Sequence, residues 1–282
     1  MQRGLKKTTY ISTLLALCTR VSQLTGLVIL LLVVLTRPVH SQERDWMDWQ
    51  DPAYIEKAFM EIAFKSEYRH GVSTLGKWNR STPIRYQFIY QQTARNPMIE
   101  SLFQAHLDHL VQITSQPIER NDQYANLKII LTQDRLYKKA IREFTHSQVE
   151  NLERDSHCMA SYQRAKNGEI RQAVVILPVD HVFSRGLLAS CVVEETTQIM
   201  GLPNDSDWVT PSIANDSSQL ELLSGLDYIF LKILYNRGLK AGMDIKQSRK
   251  IIQQIIHTLQ KNGTIKAAET QVKTHGLYRL LN

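Results

Sequence analysis

One stretch, CVVEETTQIMGLPNDSD from Cys191 to Asp207, constrains this chain more than any other. Leu187, Leu188, Cys191, Val192 and Ile199 recur at helical spacing, which predicts a helix with a continuous apolar side. Ser184 is placed to cap its start, Gly201 suits the left-handed turn at its end, and Pro203 blocks continuation. Glu194 and Gln198 stand one turn apart, with Glu195 between them, so two oxygen-bearing side chains share one face. Ionised carboxylates on a buried helix need donors, because an unpaired buried charge is costly.

The elements before this helix alternate between strand and helix. Asp51-Pro52 is an N-cap and N1 pair, and predicts a helix over Pro52 to Phe64. Ile84, Tyr86, Phe88 and Tyr90 alternate as one face of a strand. Asn96-Pro97 opens a helix running to about Thr114, with Ile99, Leu102, Phe103, Leu107, Leu110 and Val111 as its apolar stripe. Ala125 to Thr132 is a strand, and a polar helical stretch follows over about Arg135 to Glu150. Lys166-Asn167-Gly168-Glu169 signals a type I′ hairpin between strands Cys158–Ala165 and Glu169–Leu177. After the motif, helices are expected over about Gln219 to Tyr235 and over Ile245 to Lys261, the latter capped by Asp244 and ended by Asn262-Gly263. The sum is an α+β fold, a small mixed sheet packed against the motif helix and followed by C-terminal helices. Residues 42–66 form an N-terminal helical arm and 67–282 the main domain; the Trp46/Trp49 segment takes no assigned role.

Residues 1–41 hold five of the 34 basic side chains and none of the 27 acidic ones. The formal charge of +7 therefore falls to 29 basic against 27 acidic residues in the body, which removes the main support for nucleic-acid binding. Arg3, Lys6 and Lys7 precede an apolar run from Leu24 to Leu35, and Val39 and Ser41 sit as small residues before a cleavage point. That order is a secretory signal peptide cleaved after Ser41. The run falls short of the roughly 20 residues of a spanning helix, although Ile11 to Leu17 would help an uncleaved signal anchor. Either way the body is expected outside the cytosol, exported to a periplasm or cell envelope, with any membrane contact through the leader. The body keeps two cysteines, Cys158 and Cys191, which in an oxidising compartment either pair as a disulfide or stay as buried thiols. Pairing is the favoured expectation, since it would staple the motif helix.

Glu194-Glu195-x-x-Gln198 has the spacing of the zincin frame H-E-x-x-H, in which two histidines one turn apart hold zinc beside a general-base glutamate. Gly201 and Asn204 extend the frame to the position of a third ligand in metzincins, and Ser212-Ile213-Ala214 resembles the turn that underlies such a site. The stretch from Cys191 to Met243 is also similar to a bacterial family catalogued as domain of unknown function 2927. The shared features are the cysteine, the paired glutamates and glutamine, Gly-Leu-Pro-Asn-Asp, the Ser-Ile-x-Asn-Asp segment, and a close through Leu234, Tyr235, Leu239, Gly242 and Met243. The resemblance implies an exported domain with a metzincin-like fold and a degenerate zinc motif.

Donor chemistry argues against zinc, which favours imidazole and thiolate; Glu194 offers a carboxylate, and Gln198 and Asn204 only amides. Calcium or another hard ion would accept such oxygens but wants about 6–8 of them. No metal or other cofactor is assigned. The expected function is a binding or scaffold role, with a cleft lined by Glu194, Glu195, Gln198, Asn204 and Asp205 taking a peptide, glycan or envelope protein. The alternative is a peptidase-like hydrolase with an unusual metal or with Glu195 as general base. Elsewhere, His106 and His109 read as polar positions beside an apolar stripe, His181 as a solvated loop residue, and His157-Cys158 as a nucleophile pair that a disulfide would exclude.

Overall fold

A computed structural model of the protein describes residues 48–65, 74–145, 151–215, 217–218 and 220–281. The expected leader, Trp46 and residues 146–150 of the expected polar helix lie outside the described residues.

Five parallel strands and one antiparallel strand carry the architecture. β1 (Lys77–Trp78), β2 (Ile84–Tyr90), β3 (Ile118–Arg120), β4 (Leu127–Thr132), β5 (Met159–Arg164) and β6 (Glu169–Pro178) form one sheet, in the order β1-β6-β4-β2-β3 with β5 added on β6. All pairs are parallel except β5–β6, so the sheet is mixed but mostly parallel, in keeping with an α+β fold. Parallel strands need both faces covered, and the alternation along the strands supplies two apolar faces. Leu127, Ile129 and Leu131 of β4 join Ala173, Val175 and Leu177 of β6 in the larger core. Ile130, Val174 and Ile176 face a smaller one, closed by Tyr137, Ala140 and Ile141 of α3 (Asp134–Thr145) and by Leu152 of α4 (Leu152–Asp155).

The larger core is built by α1 (Pro52–Phe64), α2 (Pro97–Thr114), α6 (Leu188–Gln198), α7 (Gly225–Leu234), α8 (Ile245–Lys261) and α9 (Thr264–Lys273). The expected caps form: Asp51 accepts from Ala53 and Tyr54, Asn96 from Met98, and Asp244 closes a capping box with Gln247. Ile55, Ala58, Phe59 and Ile62 of α1 are fully or almost fully buried. The Tyr54 hydroxyl donates to the Thr210 carbonyl at 2.8 Å and accepts from the Thr210 amide at 2.7 Å, tying α1 to the loop beyond α6.

Several elements differ from the sequence reading. The β5–β6 turn is not type I′: only Gly168 has positive φ, and the bonds from Gly168 N to Ala165 O and from Ala165 N to Glu169 O make a type I turn followed by a left-handed glycine. The helix expected from Gln219 starts at Gly225, because Ser224 caps it. Chain beyond Gly263 continues into α9 and α10 (Tyr278–Leu281), where small residues such as Ala268 hide the apolar stripe. Among the described residues no helix is long and apolar enough to cross a membrane.

Candidate functional site

The motif helix is shorter than expected at its start. Ser184 is not its N-cap; it ends a preceding short helix, α5 (Val179–Ser184), and its hydroxyl donates to His181 O. Gly186 then turns with φ 71°, and α6 begins from Leu187 without a side-chain cap. The C-terminal end is tightly held. Trp78 Nε1 donates to Ile199 O at 2.8 Å and the Tyr235 hydroxyl to Met200 O at 2.9 Å, satisfying carbonyls that a helix end leaves over. Gly201 follows at φ 112°, and a Cβ there would lie 2.0 Å from the Gly76 carbonyl oxygen. Both the backbone conformation and the close approach therefore require glycine.

Residues one turn apart share a face, and α6 presents three different environments around its circumference. Cys191 and Glu195 form the first pair. Cys191 is disulfide-bonded to Cys158 with Cα atoms 6.0 Å apart, so the expected bridge is present and the Cys158 sulfur is no nucleophile. One turn on, Glu195 is only 4% exposed. Its charge reaches Tyr137 of α3: burial first, then the charges of Glu195 and Asp134, push that phenol above its ordinary range. The Tyr137 hydroxyl meets Ser156 Oγ at 3.0 Å. Val193 and Thr197 form the second pair and face α2, where His106 Nε2 lies 3.3 Å from Thr197 Oγ1.

Glu194 and Gln198, both half-buried, form the third pair. Gln198 Nε2 donates to both oxygens of the Asp205 carboxylate, at 3.0 and 3.2 Å. Asn204 is buried, donates its amide to the Asp205 carbonyl at 2.8 Å, and is bonded through its own N–H to Ile62 O of α1 at 3.3 Å. Gln198, Asn204 and Asp205 are therefore brought together and bonded to one another. Glu195 stands on the neighbouring face, about 100° around the helix from Glu194.

Below this cluster the Ser212-Ile213-Ala214 turn is organised by a residue the sequence reading did not single out. Asp227 is 2% exposed and accepts from Ser212 Oγ (2.6 Å), Ile213 N (3.1 Å), and Ser224 N and Oγ (both 2.8 Å). Burial pushes the Asp227 carboxyl above its ordinary value, and the donors from Ser212, Ser224 and Ile213 pull it back. The signal in the sequence was Ser224-x-x-Asp227, a capping-box spacing at the start of α7. Its reach back to Ser212 is a tertiary contact that spacing does not reveal.

The histidines also depart from expectation. His106 and His109 are not exposed flanks of α2 but are 1% and 3% exposed. Burial, reinforced by the neighbouring imidazole, holds His106 down to about 3 and His109 down to about 4, so both are neutral over the physiological range. Gly276, with φ 64°, gives His109 room: a Cβ there would sit 2.4 Å from its Nδ1. His181 pairs with exposed His157 through Nε2 and Nδ1 at 2.9 Å, the rings stacked at 5.1 Å.

Tested for zinc, the motif positions offer a carboxylate and two amides; the amide NH2 groups of Gln198 and Asn204 donate to Asp205, leaving those two only neutral oxygens as ligand atoms. That set does not fit a zinc ion, which takes nitrogen and sulfur in preference. Among the described residues no group of three or more His, Cys, Asp or Glu side chains is arranged to hold a metal ion. In comparison with known proteins, a family model described as a protein of unknown function (DUF2927) matches residues 52–254, from the start of α1 into α8. No curated protein matches the chain.

Proposed function

We propose a function from one premise: this chain belongs to the DUF2927 family of proteins of unknown function. It is an exported cell-envelope protein whose domain descends from a zincin-like frame and binds a partner instead of cleaving one. The observation that carries this is the bidentate bond from Gln198 to Asp205, with Asn204 turned onto the same residue. The amide NH2 groups at two ligand positions of the frame both donate to Asp205, which stabilises the end of α6 as a polar network, and the ligand atoms left over there are neutral amide oxygens, which suit zinc poorly. Glu195, at the general-base position, lies on the disulfide side of the helix, where its charge acts on Tyr137. The leader from Arg3 to Ser41 and the Cys158–Cys191 disulfide support export to an oxidising compartment of a bacterial envelope. The ligand class is a peptide, glycan or envelope protein, met by the half-buried Glu194, Gln198 and Asp205.

A hydrolysis assay separates this from the peptidase-like alternative. The purified chain and its Glu195→Gln variant are incubated with a quenched peptide library in buffers carrying zinc, manganese or calcium. Both are expected to stay at the background rate. Turnover by the parent that Glu195→Gln lowers by about 100-fold or more would overturn the binding role and make Glu195 a working base.

A further inference from the structure

Trp78 and Tyr235, which hold the end of α6, also form part of a cavity of about 450 Å³ between the β1 region, the β5–β6 turn and the loop after α7. Its volume is that of a small-molecule site. Four cations line it, Lys77, Arg80, Arg237 and Lys240, against the single carboxylate of Glu169. Glu169 is already paired with Arg171 and accepts from Asn79 Nδ2 at 3.0 Å. Lys77 Nζ donates to the carbonyls of Leu234 at 2.6 Å and Leu239 at 3.0 Å, and Arg80 Nη2 to those of Thr114 at 2.7 Å and Tyr235 at 2.8 Å. These two cations are thus fixed in place by neutral groups. Arg237 and Lys240 are exposed and form no ion pair among the described residues. Burial, and after it the Arg80 guanidinium, hold Lys77 down to about 8. A body with 29 basic and 27 acidic residues therefore concentrates positive charge in one concave place, where field lines focus.

The walls are preformed. Gly168 of the hairpin turn and Gly242 of the loop after α7 both have φ 82°, and their backbones touch: a Cβ on Gly242 would lie 2.5 Å from Asn167 O. Asn167 and Asn236 each accept a backbone N–H on the side-chain oxygen, from Glu169 at 3.1 Å and Gly238 at 2.9 Å. Their amide N–H groups bond no described residue, leaving donors of the kind that sugar hydroxyl groups accept.

We propose that this cavity binds a phosphorylated saccharide, Arg237 and Lys240 taking the phosphate in the positive field of Lys77 and Arg80, and the asparagine amides the hydroxyl groups. The site is separate from the Gln198–Asp205 network, and the proposal stands or falls independently of the proposed function. Isothermal titration of the purified chain with glucose 6-phosphate, inorganic phosphate, glucose and glucuronate tests it. Saturable binding of glucose 6-phosphate with Kd below about 1 mM is expected, weakening as salt is raised, with inorganic phosphate and glucuronate weaker and glucose silent. The Arg237→Ala/Lys240→Ala variant, whose replaced side chains support no other element, should bind about tenfold less tightly or worse with an unchanged melting temperature. Absence of binding to glucose 6-phosphate, equal binding of glucose, inorganic phosphate or glucuronate, or undiminished binding by the double variant would each overturn the proposal.

Discussion

Asp227→Ala is expected to destabilise the protein by about 4 kcal/mol, the sum of several buried donors left without an acceptor at roughly 1–3 kcal/mol each and partly relaxed. The donors are the Ser224 amide, the Ser212 hydroxyl and the Ile213 amide, all in buried surroundings, and the Ser224 hydroxyl, which can still turn to the Pro211 carbonyl at 2.7 Å. One carboxylate therefore caps α7 and pins the turn beneath the α6 terminus at the same time. Ser224→Ala removes the cap alone and should cost about 1 kcal/mol. Asp227→Asn keeps one oxygen but places an NH2 group among donors, and should fall between the two. Urea denaturation gives the ordering, and hydrogen exchange at the Ile213 amide gives its location. A loss under about 1 kcal/mol for Asp227→Ala would show that the turn is held by packing rather than by this network.

Removing the disulfide should have the next largest effect. Cys158 and Cys191 are 33 residues apart in sequence, and closing a loop of that length stabilises the folded state by about 3–4 kcal/mol through the unfolded chain's lost entropy. The double variant Cys158→Ala/Cys191→Ala should unfold at correspondingly lower urea, and the parent protein kept in reductant should follow it closely. The bridge joins the start of β5 to the first turns of α6, so amide exchange along α6 should quicken more than along α2. Identical unfolding midpoints for the reduced and oxidised parent would contradict this.

What could be read from the sequence was local. Asp51-Pro52, Asn96-Pro97 and Asp244 each announced a helix start, because the side-chain cap acts within three residues. Alternation through Ile84, Tyr86, Phe88 and Tyr90 announced β2, whose Phe88 ring meets Phe103 of α2 at 5.7 Å. Cys158 and Cys191, the two cysteines outside the expected leader, announced the disulfide. Ser184 misled because a hydroxyl before an apolar run looks the same at the end of one helix as at the start of the next, and Gly186 decided between them. His106 misled because α2 is covered on a second side by α6, a fact of tertiary packing. The two-residue β1 and three-residue β3 carry no period to detect. At the candidate site, the sequence placed Glu194, Gln198, Asn204 and Asp205 near one helix end. The four-residue spacing of Cys191 and Glu195 already put that glutamate on the face of the expected disulfide, but nothing local could tell that Gln198 and Asn204 would each bond Asp205.

The amide NH2 groups of Gln198 and Asn204 donate to Asp205, and the proposed binding role requires that these two residues and Glu194 hold no metal ion. Metal analysis of the purified chain by plasma mass spectrometry, after equilibration with zinc, manganese or calcium and exhaustive dialysis, addresses it most directly. Far less than one equivalent of each metal per chain is expected. Retention of about one equivalent of any of the three, lost on Gln198→Ala or Asn204→Ala, would contradict it.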